Sequence, residues 1–350
     1  MNSINVEKMD GRKKKLYTAL WKDFDFGQID ACIKNTNSPQ YKKDSNNSYC
    51  FCDKGNKLET LEYIFGIDNR DLFADKYKMA VSGSGDEKKK ITTLHSSSLC
   101  ALLHLYNVTE ENPLIIDELE TNTYKWKEVK FTKSLFEFKT PVINNPSNMD
   151  IVLIGTSEGK DVILFLESKF SEYYLYSSTV LHGISNSYRS DQYTHRIYQN
   201  EILNNMRIRI SEDKDNTFSL HTDDSVYLGG IKQMISHYCG LRNFIAGKSV
   251  EEPKQADAEV DIRSKIQGGA TVILGEIVFD EIIGDLELRP HLKCLQSYSD
   301  MYTELAKVIG KELELEGIDT LEILKKELGY SLFKSNSHKI EANIKKFYRY

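Results

Sequence analysis

Apolar side chains recur along this chain with two different periods, and the alternation between them predicts most of its elements. Leu16, Leu20 and Trp21 share one helix face, and Leu58, Leu61, Ile64 and Phe65 share another, so residues 1 to about 80 read as mostly helical. The Ser82-Gly83-Ser84-Gly85-Asp86-Glu87 stretch and its lysines form a connector, after which Ser96-Ser97-Ser98 caps an apolar helix, Leu99 to Tyr106. Residues 126 to 138 alternate as a strand. Two apolar runs follow, Ile151-Val152-Leu153-Ile154 and Ile163-Leu164-Phe165-Leu166, joined by a polar turn around Glu158-Gly159. Helical periodicity returns over 188–206 and 229–246, the latter with Ile231, Met234, Ile235 and Tyr238 in its stripe. Thr271 to Phe279 is a buried strand by composition. From His291 the chain reads as helices, over 305–315, 321–328 and 340–347.

That order, helix, three strands, helices, strand, helical tail, predicts a mixed α/β fold in which helices flank a central sheet. The long crossover before the fourth strand allows it to pair in parallel with the third. Three regions are expected: a mostly helical 1–90, a core over 91–290 and a helical 291–350.

The chain has 350 residues, 40% hydrophobic and 28% charged, with a net charge of −6. No apolar run approaches the ~18 residues that span a bilayer. The polar, basic stretch Met1 to Lys15 is no secretory signal, which predicts a cytoplasmic protein. Six cysteines scattered at 32, 50, 52, 100, 239 and 294 read as reduced thiols rather than a zinc site. An acidic average does not exclude nucleic acid, because basic runs at Arg12 to Lys15, Lys42-Lys43 and Lys88 to Lys90 could line a groove. The tyrosines Tyr173, Tyr174, Tyr176, Tyr188 and Tyr193 suit base stacking or ordinary packing about equally.

Candidate chemistry concentrates on the strand pair. Asp150 opens the first run, and Glu167-Ser168-Lys169 closes the second. Alternation puts Glu167 and Lys169 on one face, where a hairpin brings Asp150 beside them. Two carboxylates and an ammonium suit a hydrated divalent cation and an attacking water. Glu-x-Lys also occurs at Glu128, Glu137 and Glu158. The Glu158 copy falls in the turn, too exposed to fix a site, and the other two precede Asp150.

These features resemble the PD-(D/E)xK nuclease superfamily, and within it bacterial proteins classed as restriction endonucleases. The resemblance rests on His95-Ser96-Ser97-Ser98, Ser147 to Leu153, Leu166 to Glu172, Tyr198-Gln199-Asn200 and Ile277 to Asp280, and covers residues 95 to 280. Asn148-Met149 stands where a proline often precedes the first acid. The resemblance implies a restriction-endonuclease-like core and a Mg²⁺-dependent endonuclease acting on DNA, with Mn²⁺ able to substitute, in restriction or phage defence. Asp150, Glu167 and the Ser168 backbone carbonyl would be metal ligands, and Lys169 would orient or deprotonate the attacking water. Glu137 is the candidate upstream acid and Gln199 a candidate positioning group, each matched by a plain surface role. His182 and His195 could touch DNA or simply pack. A homodimer would suit double-strand cutting. Two alternatives stay open: a nuclease fold used only for binding or assembly, and a structure-specific or RNA-directed repair nuclease.

Overall fold

The computed structural model describes residues 11–21, 33–36, 48–51, 56–82, 91–142, 146–175, 182–184, 208–212, 218–222, 228–251, 253, 255–280 and 289–350. The expected 188–206 helix, Gln199 and His195 lie outside these residues.

The helices are α1 (Gly11–Trp21), α2 (Lys57–Phe65), α3 (Arg70–Ala80), α4 (Ser97–Leu105), α5 (Glu172–Leu175), α6 (Leu228–Ile245), α7 (Ala256–Gln267), α8 (Arg289–Glu316) and α9 (Ala342–Tyr348). The strands are β1 (Ile33–Thr36), β2 (Ser48–Phe51), β3 (Leu114–Glu120), β4 (Lys125–Thr140), β5 (Ser147–Ser157), β6 (Lys160–Lys169), β7 (His182–Ile184), β8 (Ile208–Glu212), β9 (Phe218–Thr222), β10 (Thr271–Val278), β11 (Leu321–Ile323) and β12 (Leu328–Gly329).

The large sheet runs β11-β10-β6-β5-β4-β3, with β12 also on β10. β3 to β6 pair antiparallel, whereas β10 is parallel to β6, as its helical crossover allows. β5, β6 and β10 are covered on both faces, so their apolar runs are almost unbroken. Ser168 Oγ donates to the Ser97 carbonyl of α4, while Glu167 meets His237 of α6, which places α4 and α6 on opposite faces. β5 and β6 turn through Glu158 (φ 50°) and Gly159 (φ 78°), the two positive-φ residues that match strand twist in a tight hairpin.

The sheet also curls until its edges meet. Thr121, just past β3, bridges Leu324, just past β11. The Asn122 N–H donates to the Ile323 carbonyl at 3.0 Å, and the Lys325 N–H to that of Glu120 at 3.0 Å. Trp126 Nε1 and the Thr121 hydroxyl both donate to Glu322, pinning the seam from the side chains.

Two regions expected to be helical differ. β1 and β2 form an antiparallel pair within the N-terminal part. Residues 321–328 are not a helix: Leu321, Leu324 and Leu328 have helical spacing, but β11 and β12 lie along β10 instead. Leu324 N–H donates to the Leu274 carbonyl at 2.9 Å, and its side chain fills the space above Gly275. Sheet burial won over local periodicity there. Among the described residues no helix is long and apolar enough to cross a membrane.

Candidate active site

The β5–β6 ladder ends at the Ile151–Leu166 pair. The next pair in that register would be Asp150 with Glu167, and here the strands part. Asp150 Oδ2 instead takes the Ser168 backbone N–H at 2.8 Å, so a side chain replaces the missing ladder bond and fixes both carboxylates at the fork. Asp150 stays partly accessible, whereas Glu167 and Lys169 are each 2% exposed. Asp150 Oδ1 takes no hydrogen bond from the described residues.

Glu137 joins this fork. It lies on β4 between Phe136, which pairs with Ile151, and Phe138, which pairs with Met149. Its left-handed backbone (φ 52°) interrupts the ladder opposite Asp150, and its side chain is buried. Burial raises the Asp150 pKa well above the ordinary value, and the Glu167 and Glu137 charges add to the rise.

Glu167 titrates in the opposite direction. Burial acts to raise its pKa, but Lys169 and then His237 outweigh it and hold the pKa near 2. Oε1 takes Lys169 Nζ at 2.5 Å and Gln233 Nε2 at 2.8 Å. Oε2 takes His237 Nε2 at 2.7 Å. Lys169 also donates to Gln233 Oε1 at 2.7 Å, which closes a three-membered ring of contacts. Behind His237, Nδ1 faces Ser147 Oγ at 2.7 Å, and Ser236 Oγ donates to Ser147 Oγ at 3.2 Å. The Ser147–His237–Glu167 string has the residue types of an acyl-transfer triad. Its serine, however, is buried at the start of β5, where a substrate does not reach it.

A third buried acid flanks the group. Glu276 is the β10 partner of Glu167 in the parallel register and is fully buried. Both its oxygens accept from the Tyr298 hydroxyl at 2.9 Å. Desolvation raises its pKa well above the ordinary value, with Lys169 acting against the rise.

α6 reaches this site because two glycines let it come close. A Cβ on Gly230 would lie 1.9 Å from Tyr298 Oη, and one on Gly240 would lie 2.2 Å from Thr140 Oγ1. Gly230, Gln233, His237 and Gly240 follow one another at three- and four-residue steps, so they line one helix face.

Asp150, Glu167 and Lys169 thus lie together, and Glu137, for which a plain surface role stood equally open, is buried beside Asp150. Gln233, His237, Ser147 and Glu276 were not singled out by sequence reasoning. A glutamine and a histidine four apart inside an apolar helix, and an acid within an apolar strand, were signals that could have found them.

No family model matches the chain, and no curated protein and no solved structure matches it either. The donor set itself can be weighed against a divalent cation. Asp150, Glu137 and Glu167 offer hard oxygens whose mutual repulsion a cation would relieve, and Asp150 Oδ1 is open to one. Glu167 must first exchange part of its present hydrogen bonding. Among the described residues no three His, Cys, Asp or Glu side chains already form a cage. The chemistry fits a cation held by one or two carboxylates, with water and substrate completing its shell.

Proposed function

We propose that this chain is a Mg²⁺-dependent endonuclease with a PD-(D/E)xK-type core that hydrolyses DNA phosphodiester bonds. The observation that carries the reading is the fork: Asp150 and Glu167 meet where β5 and β6 part, with Lys169 on the Glu167 face. Asp150, Glu167 and the Ser168 carbonyl would hold Mg²⁺, or Mn²⁺ in its place, which supplies positive charge for the phosphoryl oxygens. Lys169, fixed between Glu167 and Gln233, orients the attacking water and offsets negative charge as it develops. Gln233 takes the positioning role that the resemblance gave to Gln199. Glu137 holds the Asp150 side of the fork. A restriction or phage-defence role and a homodimer rest on the resemblance alone.

One observation favours a second reading, a binding or assembly subunit with this fold and no cleavage of its own. Both Glu167 oxygens are already engaged by the protein, so the buried acid is satisfied without a metal.

Calorimetric titration of Mg²⁺ and Mn²⁺, paired with plasmid cleavage, separates the two. The wild type should bind metal and cut, and Asp150→Ala/Glu167→Ala should do neither while melting cooperatively. Cleavage at the wild-type rate by that variant, or by Lys169→Ala, would refute the assignment. Metal binding by neither protein, with DNA present or absent, would favour the binding subunit.

A further inference from the structure

α8 and the β3–β11 seam enclose a cleft of about 900 Å³ whose lining includes none of the residues at the fork. Glu322 borders it from the seam. It pairs with Ile273 near the start of β10, whereas Glu167 pairs further along, at Glu276.

Glu322 is only 7% exposed. Its Oε2 takes the Thr121 hydroxyl and Trp126 Nε1–H, the latter at 3.1 Å. Its Oε1 takes no hydrogen bond from the described residues, and the residue lines the cleft. A carboxylate oxygen withdrawn from water gains from a donor placed against it. Ala306, Leu313 and Ile318 supply apolar wall beside this acceptor.

The rim carries four lysines. Lys307 is tied to Glu304 at 2.5 Å and Lys325 to Glu120 at 2.9 Å. Lys311 and Lys326 hold no ion pair among the described residues. Glu120, Glu314, Asp319 and Glu322 also line the cleft, so its carboxylates equal its lysines in number, and Lys311 and Lys326 are the two lysines left to meet an anion.

These features narrow the occupant. The volume lies in the range of roughly 300–1,000 Å³ that takes an organic ligand, beyond what an inorganic anion fills. A neutral N–H donor, an apolar ring and a negative charge occur together in a nucleotide. We propose that the cleft binds a nucleotide, its base donating to Glu322 Oε1 and its phosphate resting on Lys311 and Lys326. A free mononucleotide and the 5′ end of a nucleic-acid strand share this chemistry. The inference does not depend on the fork being a nuclease.

The test is calorimetric titration of GMP, AMP, CMP and UMP into the full-length Asp150→Ala protein, which removes any cleavage from the readout. GMP should bind tightest, because guanine presents two adjacent N–H donors. Glu322→Gln keeps an acceptor for Thr121 and Trp126 but turns an amide N–H₂ to the cleft. It should weaken GMP at least about tenfold, the loss of one charge-assisted hydrogen bond, while the melting curve stays cooperative. Lys311→Ala/Lys326→Ala should weaken GMP and leave guanosine unchanged. A 5′-phosphorylated oligonucleotide that binds tighter than GMP, with the same Glu322→Gln loss, assigns a strand end. Equal or weaker binding assigns the free nucleotide. Heat from none of the four nucleotides, or undiminished GMP binding by Glu322→Gln, would overturn the proposal.

Discussion

When the imidazole is neutral, the hydroxyls behind His237 set which ring nitrogen holds the hydrogen. Ser236 gives its hydrogen to Ser147, which leaves the Ser147 hydrogen for His237 Nδ1. Nε2 then holds the ring N–H and donates it to Glu167 Oε2. Nitrogen-15 spectra of the imidazole should show the Nε2–H tautomer, and Ser147→Ala should erase that preference. His237→Leu leaves a buried carboxylate oxygen without its donor, so urea unfolding should reveal a loss of about 1–3 kcal/mol. A loss near zero would mean that His237 does not hold Glu167. The sequence showed Asp150, Glu167 and Lys169 because a charged residue beside an apolar run interrupts a simple pattern. It hid His237 and Gln233, whose partners lie 70 and 66 positions away and face them only after α6 packs on the sheet.

α6 is held at a distance that larger side chains would not allow. Gly240→Ala would place a methyl group 2.2 Å from Thr140 Oγ1, so the helix must lift from the end of β4. Overpacking of this kind costs about 1–3 kcal/mol, and chemical denaturation should show it. A Gly240→Ala/Thr140→Ala double variant should recover part of that loss, since the clash is with the threonine side chain. If the single variant also weakens metal binding, the glycine sets how closely Gln233 and His237 approach Glu167. The sequence made α6 legible through its apolar stripe but gave no view of its two glycines, because each matters only against a side chain from another element. β11 and β12 were misread for the same reason: their leucines have helical spacing, and only β10 supplies the partner that draws them out as strands.

The buried acids give the folded chain a directional response to pH. Glu341, which accepts from the Tyr106 hydroxyl, is pushed from 4.5 to about 7 by burial. A raised folded-state pKa means that its stabilising contribution is whole below 4.5 and is lost as pH climbs through about 7. Asp150 and Glu276 are shifted in the same direction. Glu167 runs the other way: its contribution is present above 4.5 and is lost as pH falls toward about 2. Melting temperature should therefore fall as pH rises through neutrality, and Glu341→Gln should flatten that slope. An unchanged slope would show that Glu341 ionises in the folded chain as freely as in the unfolded one.

The curled sheet has a consequence for assembly. A sheet normally ends in strands whose outward N–H and C=O groups can recruit another chain. Here the C-terminal segment occupies much of that opportunity. Lys325 and Asn122 join β3 to the β11 side, and the Asn336 amide caps the Ile115 carbonyl further back along β3. A second copy therefore finds little of the large sheet left to extend. If two of these chains act on opposite strands of one duplex, they meet through helix or loop faces, and substitutions that break the pair should map there rather than along β3.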